Sequence, residues 1–289
     1  MEILQPDTWR EALEARRAHP EAKPVRGGTD VMVELNFDHI RPAAMLDLSR
    51  VPELGEWGTE DGWLRVGAGV PYTQLIADLG DQVPGLAIAS RTVGSPQIRN
   101  RGTVGGNLGT SSPAGDGLPP LYACGAEVEL ASVDGTRRVG VGDFITGPKR
   151  NCLGSDELIA AFWIKPADGP QEFSKVGTRN AMVIAVCSFA LTISPRTITT
   201  CIGSAGPTPI RALEAESFIA GVLEEENLWE SPAPIAPSAL ARFGELVEQA
   251  ARPIDDVRGT AAYRWHALRV LGRRALMRAW NRHVQEVSR

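Results

Sequence analysis

Two pairs of adjacent glycines, each flanked by side chains that can bind an anion or a hydroxyl group, are the residues of this chain best suited to hold a ligand. The first pair lies in Arg26-Gly27-Gly28-Thr29-Asp30 and the second in Thr103-Val104-Gly105-Gly106-Asn107. Glycine lets backbone N–H groups turn toward a ligand, and a helix that follows adds partial positive charge. Both segments therefore predict a cradle for an anion such as a phosphate group.

The first segment also has a simpler interpretation, a tight turn in which Thr29 or Asp30 caps the next helix. It is not a P-loop, because the GK[ST] sequence is missing, and it is not a GxGxxG dinucleotide fingerprint. Taken alone, residues 26–30 favour the turn.

The second segment continues through Ser112 and Asp116, so hydroxyl, amide and carboxylate groups follow the glycine pair. These groups suit a diphosphate and a hydroxyl-bearing ribityl chain, and the Asp116 carboxylate can accept hydrogen bonds from the hydroxyls. The alternative is a purely structural loop. Long loops in compact domains are more often functional or disordered, and the absence of charge runs or repeats argues against disorder. The residues thus somewhat favour a ligand role.

A third candidate is the basic segment Lys175-Val176-Gly177-Thr178-Arg179, which could neutralise a phosphate or approach a flavin ring. A solvated strand end explains it equally well. Tyr72 could stack on an isoalloxazine ring, but filling the core is the commoner role of a tyrosine.

Residues that break bonds are not recognisable in the sequence, so no catalytic residue is predicted. The four cysteines are far apart and form no CxxC pair, which predicts neither a zinc site nor an iron–sulfur cluster in this chain. No Ser/His/Asp, Cys/His or paired-carboxylate arrangement is visible either. Binding loops without catalytic residues are typical of an enzyme subunit whose cofactor does the chemistry.

The composition is that of an ordinary globular protein with enough apolar residues for a core. The chain has 289 residues, of which 43% are hydrophobic and 22% charged. The net charge of −5 argues against a nucleic-acid binder. No apolar run approaches the length of a membrane span, and the N-terminus lacks the pattern of a secretory signal. We therefore expect a cytoplasmic protein with reduced thiols.

The predicted elements begin with a β-α-β unit over about the first 50 residues. Its helix covers residues 7–19, with Asp7 as N-cap. The next elements are a strand, a glycine turn and a helix from about Pro71. Another helix is predicted in the segment 84–100, with its end near Gly94 or Ser95. Residues 101–117 are predicted as a loop. A β-hairpin turns at Asp134-Gly135, and residues 157–166 form another strand.

From about residue 171 the pattern changes. Residues 171–212 predict two adjacent strands, or a helix and a strand. Residues 224–237, rich in acidic residues and proline, predict an exposed connector. Two amphipathic helices complete the chain, and Leu268, Leu271, Ala275 and Leu276 lie on one face of the second.

Six segments of this sequence together resemble the FAD-binding medium subunit of the xanthine dehydrogenase and carbon monoxide dehydrogenase family of molybdenum hydroxylases. Their order and spacing hold from about residue 1 to residue 280, and IRNRGTVGGN is the most specific part. The segments are RGGTD, PAAMLDLSRVPEL, GSPQIRNRGTVGGNLGTSSPAGDGLPPL, KVGTRNAMVIA, GSAGPTPIRALEAE and RGTAAYRWHALRVLGRRAL. The chain departs from the commonest family pattern at Gly109-Thr110, where relatives often have alanine and asparagine.

The resemblance implies an α+β fold. A two-part FAD-binding domain of the vanillyl-alcohol-oxidase (PCMH-like) type would cover residues 1–170, with an N-terminal subdomain over 1–55 and a second over 56–170. A C-terminal domain of the carbon monoxide dehydrogenase flavoprotein type, a small antiparallel sheet with helices, would cover residues 171–289.

The resemblance also implies where FAD is held. The diphosphate would lie between the two glycine loops. The ribityl side would be held by Asn107, Ser112 and Asp116, and Lys175 would be close to the flavin. The cofactor-binding residues so implied are Arg26, Gly27, Gly28, Thr29, Asp30, Thr103, Val104, Gly105, Gly106, Asn107, Ser112, Asp116 and Lys175. No metal ligand is assigned to this chain. We expect Gly105→Val to abolish FAD retention while leaving the fold intact.

Partner subunits follow from the same resemblance. A small subunit would carry two [2Fe–2S] clusters and a large subunit the molybdopterin. Electrons would pass through the clusters to FAD and then to NAD, oxygen or a quinone.

One alternative function is a stand-alone flavin oxidoreductase of the vanillyl-alcohol oxidase type, for which the sequence shows no acid or base. Another is a binding or assembly module without flavin, against which the intact glycine loops argue.

Overall fold

The computed structural model describes residues 1–287. Its strands, in chain order, are β1 Glu2–Leu4, β2 Lys23–Val25, β3 Ala44–Asp47, β4 Trp57–Glu60, β5 Trp63–Gly67, β6 Glu127–Ser132, β7 Gly135–Gly140, β8 Ile145–Gly147, β9 Arg150–Asn151, β10 Leu158–Ile164, β11 Gln171–Val176, β12 Cys187–Ser194 and β13 Thr197–Gly203. The α-helices are α1 Trp9–Ala18, α2 Val31–Asn36, α3 Tyr72–Asp78, α4 Pro84–Arg91, α5 Pro96–Arg101, α6 Val104–Thr110, α7 Leu118–Ala123, α8 Val141–Phe144, α9 Leu213–Glu225, α10 Pro237–Ala250 and α11 Ala261–Val287.

These elements form two compact units. The first consists of Met1–Asp78, Gly94–Ser112 and Gly125–Lys165. The second consists of Leu79–Val93, Pro113–Cys124 and the described residues from Pro166 onward. The domain boundaries predicted at residues 55 and 170 are divisions in sequence order and stay predictions.

The first unit begins with the predicted β-α-β unit. Its strands form a parallel sheet in the order β1-β3-β2. Helix α1 buries Ala12 and Leu13, and its N-cap is Thr8 rather than the predicted Asp7, because the Thr8 hydroxyl accepts the Glu11 N–H at 3.2 Å. Strand β2 ends at Val25, so the sheet positions the start of the segment that contains the first glycine pair.

A five-stranded antiparallel sheet, in the order β4-β5-β10-β6-β7, completes most of the first unit. The predicted hairpin is confirmed: β6 pairs with β7, and Ser132 faces Gly135 at the turn. The central strand β10 is almost entirely buried, in agreement with its apolar sequence. On this sheet the Glu129 carboxylate accepts two hydrogen bonds from Arg65, at 2.8 and 2.9 Å, and one from the Trp163 indole.

The predicted loop at residues 101–117 is wrong in part, because α6 lies inside it. Glycine disfavours helix by about 1 kcal/mol relative to alanine, so the glycine-rich sequence indicated a loop. Packing overrides that preference here: Val104, Gly105 and Leu108 are buried, and the Thr103 side chain caps the helix. In the segment 84–100, the helix predicted to end near Gly94 or Ser95 is α4, which ends at Arg91, and Ser95 caps a second helix, α5, that begins at Pro96.

The second unit contains an antiparallel sheet in the order β11-β12-β13, so the alternative of a helix in this region is excluded. Strand β12 is buried on both faces apart from its last residue. Helices α9, α10 and α11 share one apolar core with this sheet, and Leu268, Ala275 and Leu276 of α11 are in it as predicted. The segment 224–237 was predicted as an exposed connector, and this is wrong in part, because Leu228 and Ile235 are buried in the core.

The helices of residues 1–287 are each too short or too polar to cross a membrane.

Candidate functional site

The two glycine segments, far apart in sequence, lie side by side in the first unit. A β-carbon on Gly27 would lie 2.1 Å from the carbonyl oxygen of Arg101, a distance that only glycine permits. The Thr110 hydroxyl, at the end of α6, donates a hydrogen bond to the Asp30 carboxylate at 2.7 Å. Residues 26–30 and α6 therefore form one site rather than two separate turns.

The first segment is a turn with the backbone geometry of an anion cradle. Gly28 has φ +76°, in the left-handed region that favours glycine, and its carbonyl oxygen accepts the Met32 N–H at 3.0 Å. Within the described chain, the N–H groups of Gly27, Gly28 and Thr29 donate no hydrogen bond to another residue. Asp30 occupies the N-cap position of α2, but its carboxylate bonds to Thr110 instead of capping the helix. Three consecutive donors are thus available to an anion.

The two glycines of the second segment have different surroundings: one is packed against the backbone, and the other leaves space for a ligand. A β-carbon on Gly105 would lie 2.4 Å from the Ala68 carbonyl oxygen, so this buried glycine allows α6 to pack against the turn after β5. Gly106 is exposed, and a β-carbon there would meet only the Thr103 hydroxyl, at 3.2 Å. The Gly106 N–H donates to that same hydroxyl at 2.9 Å. Gly106 is therefore the glycine that leaves the surface open.

This geometry corrects one sequence-based expectation. Valine at position 105 would push its side chain into the backbone of Ala68. The expectation that Gly105→Val leaves the fold intact is therefore wrong. Gly106 is the position at which access can be tested with less disturbance, because a β-carbon there meets only the Thr103 hydroxyl, at 3.2 Å.

Arg26 brings a partly buried charge to the same turn. A β-carbon on Gly69 would lie 2.6 Å from the Arg26 Nε atom, so the guanidinium lies against that glycine. Nε is buried and has no hydrogen-bond partner. Burial, and then the neighbouring charge of Arg101, lower the pKa of Arg26 from its ordinary value. A buried donor without an acceptor is costly, and an anion beside the guanidinium would offset part of that cost.

Asp116 and Lys175, both predicted to contact FAD, form a buried ion pair in the second unit. The Lys175 Nζ atom lies 2.6 Å from Asp116 Oδ2 and also donates to the Thr92 carbonyl oxygen at 3.2 Å. The Thr92 hydroxyl donates to the same Oδ2 at 3.2 Å, whereas Oδ1 is buried without a partner. Burial raises the pKa of Asp116, and the Lys175 charge opposes this. Contacts of Asp116 and Lys175 with a flavin stay predictions.

The remaining candidates are placed as follows. Val104 is buried, and Asn107 and Ser112 are partly buried at and just after α6. Tyr72 is only 3% exposed, and its ring faces Gly102, so it fills the core. Sequence reasoning missed Arg101 and Gly69, which complete the surroundings of Arg26. The basic run IRNR before the second glycine pair was the available signal for Arg101.

The chain is similar to known proteins along nearly its whole length. Residues 1–165 match the family described as the FAD binding domain in molybdopterin dehydrogenase, and residues 172–279 match the CO dehydrogenase flavoprotein C-terminal domain. The chain is 30% identical to a putative xanthine dehydrogenase FAD-binding subunit of Escherichia coli K12, over 94% of this chain and 93% of that protein. It is 31% identical to the nicotinate dehydrogenase FAD-subunit of Eubacterium barkeri, over 81% and 84%.

A solved structure shares the whole fold. Carbon monoxide dehydrogenase from Hydrogenophaga pseudoflava superposes with a TM-score of 0.87 at 25% identity, covering 98% of each chain. The α+β architecture and the family resemblance stated from the sequence are both confirmed. The chain belongs to the FAD-binding subunits of the xanthine dehydrogenase and carbon monoxide dehydrogenase type of molybdenum hydroxylase, a family of oxidoreductases.

Proposed function

We propose that this chain holds the FAD diphosphate between its two glycine segments and serves as the electron-transfer subunit of a molybdenum hydroxylase complex. The observation that carries the proposal is the row of three backbone donors at Gly27, Gly28 and Thr29, which lies beside the second segment without intramolecular acceptors. The match of residues 1–165 to an FAD-binding domain supports the FAD diphosphate as the anion.

The residues present fit a diphosphate in three respects. Gly28 has the positive φ found where consecutive N–H groups form an anion-binding concavity, and the open side of Gly106 leaves room for a ligand. Arg26 supplies a charged donor that lacks an acceptor. We assign the diphosphate to the backbone of Gly27, Gly28, Thr29, Thr103, Val104, Gly105 and Gly106, flanked by Arg26 and Asp30, the ribityl side to Asn107, Ser112 and Asp116, and the vicinity of the flavin to Lys175.

Bound FAD would supply the redox chemistry, taking electrons from two [2Fe–2S] clusters on a small partner subunit and giving them to NAD, oxygen or a quinone. The molybdopterin would be carried by a large partner subunit, which would oxidise the organic substrate. The protein's own part is to bind and orient the cofactor. This division of labour is supported by the sequence, which has binding loops and no arrangement of residues for bond breaking.

We further infer a cytoplasmic location. The four cysteines Cys124, Cys152, Cys187 and Cys201 are all free thiols, which is typical of proteins from a reducing compartment.

The first experiment is the visible absorption spectrum of the purified chain, followed by heat release and identification of any flavin. We expect a yellow protein that releases FAD. A folded, colourless chain that takes up no added FAD would contradict the proposal. Reconstitution with the iron–sulfur and molybdopterin subunits should then allow substrate-dependent reduction of an acceptor, whereas turnover of a small substrate by the isolated chain would indicate a stand-alone oxidoreductase.

A further inference from the structure

Two positively charged residues, Arg26 and Arg101, lie at the first glycine turn. Arg26 follows β2, and Arg101 ends α5, where its carbonyl oxygen faces Gly27. Within residues 1–287 neither guanidinium makes an ion pair, and the Arg26 Nε atom is buried with no acceptor. Like charges repel, and an anion bound near both arginines would relieve that repulsion.

The carboxylates around this turn are already engaged. Asp30 accepts from Thr110 at 2.7 Å, and Glu34 accepts from Lys149 at 3.0 Å. Asp47 accepts from the Gln5 side chain at 3.0 Å and from the Ser49 N–H at 2.9 Å. Asp47 raises the pKa of Arg26, but burial and Arg101 outweigh it, so the pKa of Arg26 remains lowered. The charge of Asp47 therefore offsets these effects on Arg26 only in part, and a bound anion would add to it.

We propose that Arg26 and Arg101 are the residues that neutralise the two negative charges of the FAD diphosphate, and so make the site selective for a diphosphate over an uncharged flavin. This inference rests on the proposed function and adds side-chain charge to the backbone donors of the glycine segments. Guanidinium groups suit the task because they stay charged and can donate two parallel hydrogen bonds to phosphate oxygens.

Two contributions would retain the cofactor: the backbone donors of the glycine segments and the charges of the two arginines. Backbone donors bind the diphosphate whatever the side chain at position 26, so loss of Arg26 would weaken binding without abolishing it. The charge contribution is reduced by salt, because mobile ions screen the attraction between exposed guanidinium and phosphate groups. Riboflavin, which lacks phosphate, should be insensitive to both arginines.

The test uses the full chain, freed of flavin and titrated with FAD, riboflavin or ADP, the last as a flavin-free diphosphate probe. Arg26→Gln and Arg101→Gln are compared with Arg10→Gln, a control on α1 whose side chain is 88% exposed and pairs with Glu14. We expect Arg26→Gln to raise the Kd for FAD at least tenfold and Arg101→Gln severalfold, with Arg10→Gln unchanged. ADP should compete with FAD in the wild type and far more weakly in both site variants. Arg26→Lys should recover part of the affinity.

Each outcome separates this inference from the proposed function. Wild type that binds FAD, together with Arg26→Gln and Arg101→Gln variants of equal affinity and equal salt dependence, would overturn the inference alone. A wild type that binds no FAD would overturn the proposed function as well. If Arg26→Gln fails to fold, Arg101→Gln decides, because Arg101 is exposed and its neutralisation leaves the packing unchanged.

Discussion

The hydroxyl of Thr110 donates a 2.7 Å hydrogen bond to the carboxylate of Asp30, and this contact joins the two glycine segments at the end opposite Gly27 and Arg101. Thr110 lies at one of the positions where the sequence departs from the commonest family pattern. The bond joins the last residue of α6 to the N-cap residue of α2.

Thr110→Val should therefore loosen the site. The valine keeps the shape of the side chain but removes the donor, so we expect a loss of about 1 kcal/mol in the free energy of unfolding and faster release of FAD. Urea denaturation and the rate of flavin loss on dilution measure the two effects. Thr136→Val, on exposed strand β7, is the control. Flavin release as slow as in the wild type would show that the bond does not support the site.

Gly105→Val should destabilise the fold itself. The added β-carbon would lie 2.4 Å from the Ala68 carbonyl oxygen, and this contact is with backbone that has no room to move. We expect a loss of at least about 2 kcal/mol, by urea denaturation, at the upper end of what overpacking costs. Gly109→Val, where the nearest atom outside the helix is 3.6 Å away, should change stability little. Equal stability of the two variants would contradict the packing role of Gly105.

Gly106→Val should separate cofactor binding from folding. Gly106 is exposed and lies on the open side of α6, so valine there should leave the unfolding free energy near that of the wild type while obstructing the diphosphate. We expect the variant to purify folded, by circular dichroism, with less than a tenth of the wild-type flavin. Gly109→Val on the same helix should keep its flavin. Normal flavin content in Gly106→Val would place the diphosphate elsewhere.

Lys175→Met should lower the free energy of unfolding, because it leaves the buried Asp116 carboxylate without its ion-pair partner. The Lys175 and Asp116 side chains are 7% and 8% exposed, and Asp116 would keep only the Thr92 hydroxyl. Removing one member of a buried pair costs about 3 kcal/mol or more, and protonation of Asp116 would offset part of it. Chemical denaturation measures the loss. Lys149→Met, whose ion pair is 60% exposed on the lysine side, should cost under about 1 kcal/mol. Similar losses in both variants would argue against a buried pair.

Asp256 should make the second unit sensitive to acid. Arg258, together with Arg264, holds the pKa of Asp256 below its ordinary value despite the opposing effect of desolvation. A carboxyl group with a lowered folded pKa adds stability that is present above its unfolded pKa of about 4 and is lost as pH falls through the folded pKa. Asp256→Asn should therefore destabilise most at neutral pH.

The check is the unfolding free energy of the wild type and of Asp256→Asn between pH 7 and the lowest pH at which both fold. The difference between them should shrink as pH falls below about 4. Asp134→Asn, in the exposed hairpin turn, should show no such convergence. A difference that stays constant with pH would mean that Asp256 acts through shape rather than charge.

Local patterns determined the elements of this protein. The β-α-β unit, the hairpin at Asp134-Gly135 and the apolar face of α11 could all be predicted, because each is encoded by spacing within a short window of sequence. The order of the motifs also identified the family. The glycine pairs were recognisable as a candidate cradle, since adjacent glycines open the backbone to a ligand.

Tertiary structure alone decided how the candidate residues are used. Part of the predicted loop is the helix α6, because burial of Val104 and Leu108 outweighs the poor helix propensity of glycine. The tertiary structure made Gly105 a packing residue and left Gly106 open, and it paired Asp116 with Lys175. It also brought Arg101 beside Arg26. Contacts between residues distant in sequence depend on which surfaces pack together, and no short window of sequence contains that information.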